Sequence, residues 1–124
     1  MIRHFEPWLA AAAWMALIFG LSAQPDLPMP GITWLDELLR VAGHFGEYAV
    51  LGFLASRAIS TGQQYRLRPG VALILCAAYA LSDEWHQSLV PGRDASWLDW
   101  TIDLCGSFAG IVICRLRSGR LPGI

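Results

Sequence analysis

The sequence predicts an all-α fold: an integral membrane bundle of four transmembrane helices with both termini cytoplasmic. Three observations lead there. Hydrophobic residues make up 55% of the 124 positions and charged residues 15%, below the charge of an ordinary soluble domain. Mean hydropathy is +0.43. Long apolar runs alternate with proline- or arginine-bearing breaks, and the length suits a single domain over residues 1–124.

The first helix is expected at about 7–23. Pro7 to Ala23 (PWLAAAAWMALIFGLSA) is apolar and uncharged. At 1.5 Å per residue it covers roughly 26 Å, close to a hydrocarbon core. A secretory signal peptide is the competing reading, with Arg3 as a thin basic region and Ala23 as a cleavage site. Leu21 is large where such a site wants a small residue. Trp8 and Trp14 suit an anchored helix, so a retained helix is expected. The stretch QPDLPMPGI, 24–32, then breaks the chain with three prolines.

The second helix is expected at about 34–60. Thr33 and Asp36 form a capping-box pattern before it. Its start, WLDELLR, reads as interfacial, and it enters the membrane near Val41. The span is weak by hydropathy, because His44 and Glu47 interrupt it. The third helix is expected at about 69–90, with Pro69 at the favoured first position and Pro91-Gly92 turning the chain. The fourth is expected at about 97–116, opened by a second capping-box pattern of Ser96 and Asp99. Gly106 and Gly110 give it a GxxxG-type face, a weak signal for close packing.

Arginine placement orients the bundle. With four spans, the termini and the middle loop share one side. That side holds Arg3, Arg57, Arg66, Arg68, Arg115, Arg117 and Arg120, against Arg40 and Arg93 on the other. Seven against two makes both termini cytoplasmic in a multi-pass protein of the inner membrane. All nine basic residues are arginine; nothing in the sequence explains that. The net charge of −1 implies no attraction to nucleic acid. Cys76, Cys105 and Cys114 lie in apolar runs without metal-like spacing and read as small buried residues.

Given that orientation, all four helices carry polar groups to the outer leaflet. Gln24 closes the first, and His44 and Glu47 lie early in the second. Asp83, Glu84, His86 and Gln87 lie late in the third, before Arg93 in the turn. Asp99 and Asp103 open the fourth. An ionisable group at membrane depth costs about 2.5–3.5 kcal/mol on insertion scales, so several imply pairing or a protected polar site. His44 and Glu47 share a helical face at i, i+3. Asp83 shares one with Tyr79, His86 and Gln87, while Glu84 points about 100° away. Asp99 and Asp103 share a third.

Blander roles are open for some of these residues. Asp99 could only cap its helix, Glu84 could face headgroups, His86 could be interfacial and Arg93 could grip lipid phosphate. Asp103 lies too deep for a cap, so an internal partner such as His44 or Arg93 is expected. Glu47 and Asp83 are the hardest to dismiss. Trp85, Trp97 and Trp100 read as aromatic-belt anchors.

Three chemistries stay open for the cluster. Two histidines with several carboxylates match the mixture that holds zinc or manganese, although no metal motif is strong enough to assign a cofactor. A purely structural network would let the groups satisfy one another. Acid–base catalysis would use a carboxylate beside His44 or His86. No serine or cysteine nucleophile motif accompanies them.

The residues carry a resemblance. LSAQP at 21–25, HFGEYAVLGFL at 44–54 and AYALSDEWHQSLVPGRDASWLDWTIDLCGSFAG at 78–110 resemble the VanZ-like membrane proteins. The DE-x-HQ, PGR and D-x-x-x-D elements are the specific part. The founding member of that family is associated with low-level resistance to the glycopeptide teicoplanin. The resemblance implies an integral membrane protein of about four spans and no established reaction. The positions matching its polar motifs are Gln24, His44, Glu47, Asp83, Glu84, His86, Gln87, Arg93, Asp99 and Asp103.

The leading expectation is therefore a binding protein with a polar pocket open to the outer leaflet. Its partners would be membrane lipids, a lipid-linked cell-wall precursor or a lipoglycopeptide. Arg93 would hold a phosphate or carboxylate. An enzyme modifying such a headgroup and a structural membrane subunit are the alternatives. A transporter would need an oligomer to make room for alternating access.

Overall fold

The computed structural model describes residues 5–24, 31–60, 68–93 and 95–117. Among them every regular element is an α-helix: α1 (Glu6–Ser22), α2 (Thr33–Ile59), α3 (Arg68–Ser88) and α4 (Trp97–Arg117). The proline break at 25–30, Arg3, Arg66, Arg120 and the Arg68 side chain lie outside the described residues, so the arginine count is only partly represented.

Local chemistry sets the helix ends. Pro7 opens α1, where its missing N–H costs no hydrogen bond. The Thr33 capping box does not form. Thr33 is already helical, and the N-cap is Ile32, in extended conformation with no side-chain cap. At α4 half of the expected capping box forms: Ser96 Oγ accepts the N–H of Leu98 at 3.1 Å, but Asp99 does not take the Ser96 N–H. Between α3 and α4, Gly92 has φ +84°, a left-handed conformation that a Cβ would penalise. Arg115 and Arg117 in the last turn of α4 complement its dipole.

The contacts define an up-down-up-down bundle. Trp14 Nε1 donates to the Glu47 carbonyl at 2.8 Å, joining α1 to α2. Gln87 Nε2 donates to Ser22 Oγ at 3.2 Å, placing the ends of α1 and α3 side by side. Trp100 Nε1 donates to the Ala77 carbonyl at 3.3 Å, between the antiparallel α3 and α4.

The most extensive packing is between α2 and α4, which run parallel. Glycine makes it so close. A Cβ on Gly106 would collide with the Phe45 carbonyl, one on Gly110 with the Ala49 carbonyl, and one on Gly52 with the Ser107 carbonyl. The weak GxxxG signal thus marks a real interface, with a third glycine contributed by the partner helix.

The bundle is apolar at one end and polar at the other. Ile18, Tyr48, Leu51, Ala55, Ala72, Cys76, Ala80 and Ile111 form the buried apolar cluster. Toward the α3–α4 turn the interior becomes polar: Ser22, His44, Asp83, Glu84, Gln87, Asp99 and Asp103 are all buried. The exterior is the reverse, with Leu9, Leu17, Phe19, Ile74, Phe108, Ile113 and Leu116 exposed. Exposed apolar surface of this extent suits contact with lipid or a partner.

By length and composition, α4 is the one helix among the described residues apolar enough to cross a membrane, and less than half of its apolar stretch is buried in the bundle. The apolar α1 is shorter, and α2 and α3 carry too many polar groups to pass that test. Cys76 and Cys114 are buried as expected, but Cys105 is exposed, because it faces outward on α4.

Candidate functional site

The polar end holds two hydrogen-bonded networks. The first joins α2, α3 and α4. His44 Nδ1 lies 2.9 Å from Asp103 Oδ1, with Asp103 wholly buried. His44 Nε2 lies 4.0 Å from Asp99 Oδ2. Asp99 in turn pairs with Arg40, which also binds Glu37 at 2.5 Å. His44 precedes Phe45, and Asp103 sits one turn before Gly106. The backbone collision points therefore set how near the imidazole and the carboxylate come.

Glu84 joins this network from α3. It is buried, not turned to headgroups, and its Oε2 accepts the Ser96 backbone N–H at 3.0 Å. Asp99 is buried too, but its carboxylate pairs with Arg40.

The second network joins α1, α2 and α3. Tyr48 Oη donates to Asp83 Oδ2 at 3.2 Å, and Gln87 Nε2 reaches the same oxygen at 3.4 Å. Gln87 also holds Ser22 Oγ. Tyr48 and Ser22 escaped the sequence reading because neither is charged. The available signal was spacing: Tyr48 follows His44 by four residues and so shares its face.

The remaining expected residues stand further out. Glu47 is half-buried, and its backbone carbonyl receives Trp14 Nε1. His86 stacks on Phe19 of α1, with ring centroids 4.1 Å apart and planes 7° from parallel. Arg93 Nη1 donates to the Leu21 and Gln24 carbonyls, both at 3.1 Å. It closes the C-terminal end of α1, and Gln24 meets it through its backbone while remaining exposed.

Two features carry chemical potential. An imidazole oriented by a buried carboxylate is a competent proton acceptor. And among the described residues, Glu84 Oε1 and Asp103 Oδ2 are buried without a hydrogen-bond partner, as are Asp83 Oδ1, His86 Nδ1 and Asp36 Oδ1. His44, Glu84 and Asp103 each offer one ligand atom within 4.8 Å of the others.

Beside this cluster runs a groove of about 670 Å³ between α3 and α4. Its walls are mostly apolar, from Ala78, Leu81, Trp85, Trp97 and Trp100, and Glu84 is among its polar lining residues. Trp85 and Trp97 are exposed, as belt anchors would be, whereas Trp100 is tied into the bundle.

The fold is a four-helix bundle with exposed apolar side chains and a buried carboxylate–histidine interior. The chain belongs to the VanZ/LLP1 family, whose model matches residues 5–118. No curated protein and no solved structure matches it. Family and apolar helix together point to the membrane.

Proposed function

We propose that this protein is a four-span protein of the inner membrane that binds the headgroup of a lipid or lipid-linked cell-envelope molecule. Both termini lie in the cytoplasm, and the polar end faces the outer leaflet. The arginine distribution supports this orientation. One observation carries the binding reading: the apolar groove between α3 and α4 shares Glu84 with the buried polar cluster. Its volume of about 670 Å³ suits a small ligand. An acyl chain lies along the tryptophan-lined wall, and the headgroup meets Glu84. A lipid-bearing glycopeptide offers the same two-part chemistry, which is how a link to teicoplanin resistance would arise.

The interior is rich in carboxylates, and Arg93 is engaged with α1. Hydroxyl- or amine-bearing headgroups therefore suit the cluster itself better than bare phosphate. Mass spectrometry of lipids copurifying with the protein tests the reading. Ala78→Phe fills the groove without touching the cluster. It should remove the lipid species that wild type retains. Identical lipids in both, with Ala78→Phe folded and monodisperse, would exclude this function.

A second reading, an enzyme acting on the same headgroup, is favoured by the His44–Asp103 contact. In that case His44→Gln should abolish turnover of cell-envelope lipids while copurification of the lipid persists.

A further inference from the structure

We infer that His44, Glu84 and Asp103 form a site for one divalent transition-metal ion where α2, α3 and α4 meet. The inference goes beyond lipid binding and does not depend on it.

The three residues come from three helices and converge, with ligand atoms all within 4.8 Å of one another. Two ligands on one zinc ion, at about 2.1 Å each, lie at most about 4.2 Å apart. Closing the difference takes side-chain movement of a few tenths of an ångström. Each residue is more than nine-tenths buried: His44 is 8% exposed, Glu84 6% and Asp103 0%.

Unpaired buried carboxylate oxygens occur at Asp83 as well, but at Glu84 and Asp103 they coincide with a third ligand, His44. Glu84 uses Oε2 for the Ser96 N–H, and Asp103 uses Oδ1 for His44. The other oxygen of each, Glu84 Oε1 and Asp103 Oδ2, is buried with no partner. A buried carboxylate oxygen without a donor is costly, and two together compound the cost by repulsion. A cation between them removes both penalties. The Ser96 N–H bond would then hold Glu84 in orientation, as outer contacts do at metal sites, while His44 Nδ1 would exchange its bond to Asp103 for the ion.

One imidazole and two carboxylates form a set of intermediate softness, suited to zinc or manganese rather than calcium or magnesium. Three protein ligands leave coordination positions for water or for an oxygen of a bound molecule. Glu84 also lines the groove, so a ligand there lies next to the ion. The ion would also change the sign of the local field, making an acidic cluster receptive to anionic oxygens.

The test uses the full chain in detergent, stripped with EDTA and reloaded with manganese or zinc chloride. A Cys105→Ser background removes the exposed thiol, and manganese discriminates against thiolates in general. We expect about one ion per chain after gel filtration by elemental analysis, and loss of the free six-line manganese resonance on binding. Glu84→Gln keeps the acceptor for Ser96 and should bind less than a tenth as much metal. Ion addition should raise Tm in wild type and leave Glu84→Gln unmoved. Absence of uptake of either ion by folded wild type would overturn the inference, and so would equal uptake by Glu84→Gln. The groove variant Ala78→Phe should still bind the ion. Metal failure with lipid binding intact therefore removes this site alone.

Discussion

The backbone N–H of Ser96 donates to Glu84 Oε2 across the α3–α4 turn, at 3.0 Å. In a capping box that role belongs to the residue three positions after the cap, here Asp99. The two carboxylates have exchanged duties. Glu84 supports the start of α4, and Asp99 is free to pair with Arg40. A cap normally local to one helix thus becomes a tie between two.

Removing that tie should unravel the start of α4. Glu84→Ala leaves the Ser96 N–H without its acceptor and should cost about 1–2 kcal/mol. Glu84→Gln retains an acceptor and should stay close to wild type when both are compared without metal. Thermal unfolding in detergent, followed by circular dichroism, separates the two. Equal Tm values for Ala and Gln would show that the contact contributes nothing.

Packing between α2 and α4 leaves no room for side chains at the glycines. Gly110→Ala places a Cβ against the Ala49 carbonyl, and helices would have to part. Overpacking of this kind costs about 1–3 kcal/mol. Gly20→Ala, where nothing lies within 4 Å, is the control and should be neutral or slightly stabilising. The comparison is read from unfolding midpoints.

The His44–Asp103 contact should be strongly coupled. Breaking a buried pair by removing one partner costs about 3–5 kcal/mol, because the other is left uncompensated. Asp103→Ala and His44→Ala should each approach that range, and the double variant should cost much less than their sum. Additive losses in a double-mutant cycle would mean that the two side chains are neighbours without being partners.

Tyr48→Phe tests the second network. It deletes the hydroxyl that donates to Asp83 and keeps the ring in the apolar cluster. A hydrogen bond to a carboxylate contributes about 1.5–3 kcal/mol. The variant should lose stability in that range with its helical content unchanged.

Orientation is checked by cysteine labelling in intact cells, on a background lacking Cys76, Cys105 and Cys114. A membrane-impermeant maleimide should reach Ala95→Cys directly. Ser60→Cys should react only after permeabilisation. The opposite pattern would turn the bundle over and put the polar end in the cytoplasm.

Four helices were legible because apolar runs are long and the breaks between them are chemically loud: Pro25, Pro28 and Pro30, then Pro91-Gly92. The convergence of His44, Asp83 and Asp103 was legible because buried charge in a greasy chain needs company. The partners were less so. Alternation of helix direction says which end a residue occupies, not which neighbour it touches. Glu84 and Asp99 are the clearest case. For each, position on its own helix left a blander role open beside the polar cluster, and tertiary packing buries both. Thr33 shows the opposite failure. It has capping chemistry, yet Ile32 starts the helix, so a local pattern lost to the path of the chain.

The glycine contacts between α2 and α4 have a consequence for entry. With backbone against backbone, that pair has no side chains to swing aside. It behaves as a fixed wall behind His44 and Asp103. A ligand of the proposed kind would therefore have to enter beside α3, whose Glu84 is tied to Ser96, or past α1, fastened at its end by Arg93. On the proposed binding function, Glu84 would be both a latch between α3 and the start of α4 and a polar group that a ligand in the groove meets.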